Sequence, residues 1–261
     1  MAFGVYHDVD GCALIGHDNR MVYRSAFYCR HNPINVSQTR DNLIAHGVMS
    51  KELVQMYERE FGDITDPSGL VRAGEFGRFD QKAKTAGLAI DKGALAEVER
   101  RATENLPLEA FYQSLREAQL TPGLEDFAKW VKATGGKQII VTDGWDLVGN
   151  YLAERIGADR VVGSASMFVG GRFTGEVYKL EDKGPVISDL LRSLGLTYGN
   201  SIGIDDASYV VTQFGLPIAF CPTNPKLREH PGIVVVEEPD YSYVQNEAWS
   251  WLQIRETSEH R

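Results

Sequence analysis

From Gln138 onward the chain alternates short apolar runs with amphipathic stretches of helical period, and no other feature narrows the possible folds as much. The short runs are Gln138 to Val141, Arg160 to Gly163, Ser201 to Ile204, Pro217 to Phe220 and Ile233 to Val236. Between them, Val148, Tyr151, Leu152 and Ile156 share one helical face, as do Val186, Ile187, Leu190, Leu191 and Leu194. Strands that are apolar on both faces and separated by helices predict a parallel sheet covered on both sides. Phe3 to Val9 reads as a further strand at the start of the chain, and Phe168 to Tyr178, broken by Gly170-Gly171, as a hairpin. The expectation is an α/β fold with a doubly wound, mostly parallel sheet core.

Residues 16–118 interrupt that pattern. Leu53, Met56 and Tyr57 share a helical face, then Leu95, Val98 and Ala102, then Leu108, Phe111, Tyr112 and Leu115, with no strand-like alternation between them. This predicts a helical insertion with a looped middle from Thr65 to Ala86, and assigns the α/β core to residues 1–15 and 119–261. Thr121-Pro122-Gly123 is turn chemistry, followed by an amphipathic helix through Leu124, Phe127, Trp130 and Val131 that Gly135-Gly136 ends. Trp249 and Trp251 are expected to pack a C-terminal tail onto the core.

Composition excludes several classes of function. Lys and Arg number 27 against 36 Asp and Glu, a formal charge of −9, which disfavours a polyanion such as nucleic acid as partner. No apolar run approaches the ~18 residues of a membrane span. Three cysteines, Cys12, Cys29 and Cys221, lack paired metal spacing, and no export signal opens the chain, so a reducing cytoplasm is expected. Gly-x-Gly-x-x-Gly, Walker and His-Glu-x-x-His motifs are all absent from the sequence.

The residues just beyond the strands carry the chemistry, because ligands of doubly wound sheets bind there. Asp8 and Asp10 follow the first strand, Thr142-Asp143-Gly144 the second, and Asp205-Asp206 the run from Ser201 to Ile204. A single Asp in such a place is ordinarily the cap of the next helix. Two acidic pairs in one chain instead predict carboxylates that converge, repel one another, and favour a hard cation such as Mg²⁺. Lys183 stands in the first turn of the helix through Val186 to Leu194, where the macrodipole disfavours a cation unless a buried anion offsets it. Pairing with Glu181 or Asp182 at the surface is the plainer alternative. Thr142 is either a helix cap or, with the N–H groups of Asp143 and Gly144, a phosphate-binding turn.

Taken in order, Asp-x-Asp-Gly, a Thr after an apolar strand, a Lys at a helix start and an Asp pair after another strand resemble the four motifs of the haloacid dehalogenase superfamily. From Thr121 to Asn224 the chain is similar to the phosphoserine phosphatase-like branch. The matching pieces are Thr121-Pro122-Gly123-Leu124, Ile139 to Asp146, Gly171-Arg172-Phe173-Thr174-Gly175, Asp182-Lys183-Gly184 and Phe214 to Phe220. The resemblance implies Asp8 as nucleophile, Asp10 as general acid and then base, and Thr142, Asp143, Gly144 and Lys183 around the phosphate. It implies Mg²⁺ at Asp8, the Asp10 carbonyl and Asp205, with Asp206 beside them, and residues 16–118 as the cap. Glu75 and Arg78 are the candidates for the cap residues that grip the substrate.

Three positions depart from the branch. Cys12 replaces the usual Thr, Ser or Val, Asp143 replaces a glycine, and Asp205 and Asp206 are adjacent rather than spaced. The implied activity is hydrolysis of a small phosphorylated metabolite by a monomer or homodimer. Alternatives on the same scaffold are a phosphotransferase, a phosphomutase or a catalytically silent phosphate-binding protein. A two-component receiver domain uses similar residues, but there the lysine ends the series, whereas Lys183 precedes Asp205-Asp206.

Overall fold

A computed structural model of the protein describes residues 2–9, 11–14, 43–45, 47–62, 79, 81–89, 91, 94, 104–116 and 120–259. The chain divides into two compact units. The first comprises Met1–Ile15, Gln119–Ala165 and Lys179–Arg261, and the second Gly16–Ala118 and Ser166–Tyr178.

In the first unit, β1 (Gly4–His7) is buried along its whole length. It pairs in parallel with β2 (Lys137–Trp145) on one side and with β5 (Ser201–Asp205) on the other. β3 (Arg160–Val169) lies beyond β2 and ends in the second unit, which also holds β4 (Arg172–Tyr178), and β6 (Leu216–Phe220) and β7 (Val234–Val236) lie beyond β5. The seven-stranded order is β4-β3-β2-β1-β5-β6-β7, and β3, β6 and β7 are each parallel to the strand before them in that series from the centre. The mostly parallel sheet expected from the sequence is therefore present, with β1 at its centre.

Helices α3 (Leu124–Ala133), α4 (Asp146–Ile156) and α5 (Lys183–Ser193) follow the apolar periodicity. α5 starts because the Asp182 carboxylate accepts the Gly184 N–H at 2.9 Å, and it ends before Gly195, whose φ of 72° suits a residue without Cβ. Its Ile187 and Leu191 are buried with Tyr6, Ile139, Val141 and Phe214. Gly203 of β5 lets the Phe214 ring lie against the strand, since a Cβ there would overlap it. Tyr6 stacks on that ring at 5.5 Å, an arrangement that aims the tyrosine hydroxyl toward the end of β5.

The C-terminal segment is more ordered than a tail. It forms α7 (Tyr241–Glu259), which follows a short α6 (Pro225–Arg228) and buries Tyr241, Val244 and Ala248. Trp249 meets Trp130 at 6.4 Å, and the Arg255 guanidinium lies 4.7 Å from the Trp251 ring. Among the described residues no helix is long and apolar enough to cross a membrane.

The second unit contains α1 (Lys51–Phe61), capped by Ser50, whose hydroxyl accepts the Leu53 N–H at 3.1 Å, and α2 (Leu108–Leu115). Leu53, Val54 and Tyr57 join Leu43, Val48, Met49, Phe79 and Ala83 in one apolar cluster. Phe79 and residues 81–85 are helical, so the loop expected from Thr65 to Ala86 gives way to helix at its end, where Phe79 and Ala83 are one turn apart and both buried. The face through Leu95, Val98 and Ala102 lies outside the described residues. The Ser166–Tyr178 segment, placed in the core by its sequence, belongs to this unit. The physical reason is that Phe173 meets Phe111 at 5.7 Å and its carbonyl accepts the Asn105 N–H at 2.8 Å.

His7 carries a pH dependence of stability. It is fully buried, with Nε2 3.2 Å from Gln138 Oε1 and Nδ1 3.5 Å from the Tyr241 hydroxyl. Burial lowers its pKa to about 4, despite the opposing Gln138 hydrogen bond. An unfolded histidine titrates near 6.5, so below that pH the unfolded chain binds the extra proton. The neutral His7 therefore contributes fully above pH 6.5, and its contribution, at most about 3 kcal/mol, is lost as pH falls toward 4. Urea midpoints at pH 7 and pH 5 check this: the wild-type chain should lose more stability between them than His7→Gln does.

Candidate active site

Asp8 is placed by the sheet. Its N–H continues the β1 ladder by donating to the Ile204 carbonyl at 3.0 Å, and the register His7↔Ile204 brings it opposite Asp205. The Asp8 side chain accepts the Val9 N–H at 2.8 Å.

Lys183, the first residue of α5, reaches the same point. Its Nζ is 2.9 Å from Asp8 Oδ1, 3.7 Å from Asp205 Oδ2 and 3.9 Å from Asp143 Oδ1. The side chains of Lys183, Asp8 and Asp205 are 12%, 4% and 0% exposed, whereas that of Asp143 is 54% exposed. Burial alone would push the lysine pKa down, but the charges of Asp8, Asp205 and Asp143 outweigh it and hold the ammonium above its ordinary value. The buried-anion reading of Lys183 is thus the one the geometry takes.

Asp205 has its oxygens held by its surroundings. Oδ1 accepts the N–H groups of Ala207 and Ser208 at 2.9 and 2.7 Å, and Oδ2 accepts the Tyr6 hydroxyl at 2.7 Å. Burial, then the Asp205 and Asp8 charges, raise the Tyr6 pKa well above normal, so it stays a donor. Asp206 is held by a different partner, its Oδ2 accepting the Thr223 hydroxyl at 2.8 Å. Ligand atoms of Asp8, Cys12 and Asp206 lie within 4.8 Å of one another, and all three residues are buried. Two buried carboxylates this close repel when both are ionised, and a divalent cation removes that penalty. The donor set therefore fits a metal, and it draws on Asp206 and Cys12 where the sequence pointed first to Asp205.

The Thr142-Asp143-Gly144 segment differs from a simple helix start. It lies in the extended end of β2, where pairing with β3 shifts register between Val141 and Trp145, and α4 begins only at Asp146. Thr142 is buried and its hydroxyl accepts the Gly144 N–H at 3.0 Å, so that N–H is turned onto Thr142. Ser164 donates to the Asp143 carbonyl at 2.7 Å and accepts the Leu180 N–H at 3.0 Å, which ties this bulge to the approach to α5. Asp10, Glu75 and Arg78 lie outside the described residues. Sequence reasoning missed Tyr6, Ser164 and Thr223 as supports. Tyr6 alone left a signal, being two strand positions before Asp8 and hence on the same face.

The haloacid dehalogenase-like hydrolase family model matches residues 56–208, more than half of the chain and a span that holds Thr142, Lys183, Asp205 and Asp206. The chain belongs to this family. Among curated relatives of this haloacid dehalogenase-like hydrolase, it is 27% identical over 139 residues to the phosphoserine phosphatase of Methanocaldococcus jannaschii, covering 51% of the chain and 65% of that protein. It is 25% identical over 162 residues to the phosphoserine phosphatase of Archaeoglobus fulgidus, covering 54% of the chain and 47% of that protein. The matches thus span less than two thirds of the length of either relative. Solved structures share the fold, two of them as follows. A phosphoserine phosphatase in apo form gives a TM-score of 0.56 at 17% identity, covering 94% of this chain and 98% of that one. A phospho-aspartyl intermediate analogue of phosphoserine phosphatase gives 0.52 at 21% identity, covering 76% and 92%.

Proposed function

We propose that this haloacid dehalogenase-like hydrolase is a Mg²⁺-dependent phosphomonoesterase acting on a small metabolite through a covalent intermediate on Asp8. The observation that carries the reading is the buried Asp8 carboxylate at the end of the central strand, 2.9 Å from a lysine ammonium. Such a carboxylate is kept ionised and aimed, as a nucleophile toward phosphorus must be. An Asp8 oxygen attacks phosphorus and displaces the substrate's alkoxide, which takes its proton from Asp10. Water then attacks the same phosphorus, Asp10 accepts the water's proton, and the Asp8 carboxylate is released with inorganic phosphate.

Lys183 and the Thr142 hydroxyl bind phosphate oxygens in this scheme, with the Asp143-Gly144 backbone lining the same pocket. Asp8 and Asp206 would hold Mg²⁺, with Asp205 fixing Lys183 and the turn through Ser208. When bound, the metal supplies positive charge that lowers the repulsion between a dianionic phosphate and Asp8. Residues 16–118 are the candidate cap that would exclude water and select the alcohol, with Glu75 and Arg78 as candidate contacts. The phosphoserine phosphatase relatives support phosphoserine as the first substrate to try.

The test is a panel of phosphomonoesters, phosphoserine and p-nitrophenyl phosphate among them, assayed with Mg²⁺. Hydrolysis should occur, fall to background when EDTA removes the metal, and return when Mg²⁺ is restored. Full activity after complete chelation would contradict the metal assignment.

A further inference from the structure

We propose that Cys12 is a ligand of the cation held at Asp8 and Asp206, so that the site discriminates among divalent ions by thiol affinity: Zn²⁺, Co²⁺ and Cd²⁺ bind through sulfur as well as oxygen, while Mg²⁺ uses the carboxylates. This rests on the reading above that Asp8 and Asp206 hold a cation.

The three donors come from two loops that are fixed independently of one another. Cys12 is buried in the turn after Gly11, whose φ is 78°. That turn is pinned at the cysteine and at the residue after it. The Cys12 carbonyl accepts the Thr121 hydroxyl at 2.6 Å, and the Ala13 carbonyl accepts the Thr121 N–H at 3.0 Å. Asp206 is held by Thr223, whose hydroxyl donates to its carboxylate at 2.8 Å and whose N–H donates to its carbonyl at 2.9 Å. Asp8 is held by the Val9 N–H and by Lys183. Supports of this kind orient metal ligands and keep the cost of gathering them low.

The chemistry of the set is mixed. Carboxylate oxygens suit Mg²⁺, Ca²⁺ and Mn²⁺, whereas thiolate selects softer ions. Zinc bonds of about 2.3 Å to sulfur and about 2.1 Å to oxygen place two donors at most about 4.4 Å apart. In a tetrahedral site the same bonds set the two donors about 3.6 Å apart, so donors lying within 4.8 Å of one another close by up to about 1.2 Å when the ion binds. Ligation converts the thiol to thiolate and releases its proton to solvent, so thiophilic binding should strengthen as pH rises.

Co²⁺ titrated into the metal-free full-length chain is the direct test. The expected result is a near-ultraviolet thiolate-to-cobalt charge-transfer band that saturates at one equivalent, together with visible d–d bands. In Cys12→Ser the charge-transfer band should vanish while the d–d bands persist. By calorimetry, Zn²⁺ affinity should fall by more than the ~10- to 100-fold that loss of a mere support of a ligand costs, while Mg²⁺ affinity changes far less. Cys12→Ala, checked by circular dichroism, gives a second variant if the serine hydroxyl unsettles the buried turn. Cobalt d–d bands without a charge-transfer band in the wild-type chain, or the same band in Cys12→Ser, would overturn the role of Cys12 and leave the carboxylate site standing. Absence of any Co²⁺, Zn²⁺ or Mg²⁺ binding would overturn both.

Discussion

Asp8→Asn is expected to reduce hydrolysis of every phosphomonoester to background, a loss of roughly 10⁴-fold or more. The substitution keeps the shape of the side chain and an oxygen able to accept the Val9 N–H, but an amide is too poor a nucleophile to attack phosphorus. It should not unfold the protein. Lys183 keeps Asp205 at 3.7 Å and Asp143 at 3.9 Å as counter-charges, and one of the buried negative charges around it is gone. The thermal midpoint should therefore stay close to that of the wild-type chain, measured alongside activity on an alkyl phosphate and on p-nitrophenyl phosphate. A good leaving group should not rescue the variant, because no leaving group replaces an absent nucleophile. Rescue by p-nitrophenyl phosphate would move the role of Asp8 from nucleophile to proton donor.

Lys183→Met is expected to damage both stability and turnover. The methionine fills the space but leaves Asp8 and Asp205, 4% and 0% exposed, without the ammonium that neutralises them. Removing one partner from buried charges typically costs about 3 to 5 kcal/mol. Turnover should fall on the order of 10²- to 10³-fold, the usual effect of deleting one group that stabilises charge in the transition state. Lys183→Arg separates the two effects. It restores the charge, so denaturant unfolding should recover much of the stability, while the broader planar guanidinium cannot take the position of a compact ammonium between three carboxylates. Activity should therefore remain well below wild type. Equal recovery of stability and turnover in Lys183→Arg would mean that Lys183 acts only as a structural counter-charge.

The framework of the sheet was legible because its signals are local. Short apolar runs punctuated by helical faces mark β1, β2, β5 and β6, and an acid or a threonine at each of the first three ends marks where chemistry gathers. Lys183 was legible for a related reason, since a cation at a helix start implies a compensating anion. What the chain does not display locally is register. Asp205 closes β5 and Asp206 stands just past it, and which of them joins Asp8 and Cys12 depends on how β5 lies against β1, with Gly4 opposite Ser201 and His7 opposite Ile204. The bulge through Thr142 and Gly144 likewise arises from pairing with β3, a partner that sequence periodicity cannot place. Phe168 to Tyr178 reads as an ordinary hairpin, and it is contacts distant in sequence, of Phe173 with the Phe111 ring and the Asn105 N–H, that draw it into the other unit. α7 was obscured by its own composition, because Tyr, Val and Trp are weak helix formers and the helix is stabilised through burial of Tyr241, Val244 and Ala248.

The central claim is that phosphorus is transferred to Asp8 before it reaches water. Rapid quench with substrate carrying radiolabelled phosphate tests it most directly. On the wild-type chain, acid-stable label should appear on the protein within the first turnover, map to the peptide containing Asp8, and decay as free phosphate forms; on folded Asp8→Asn no label should appear. Release of labelled phosphate from the wild-type chain with no protein-bound label at any quench time, or label trapped on Asp8→Asn, would contradict the assignment.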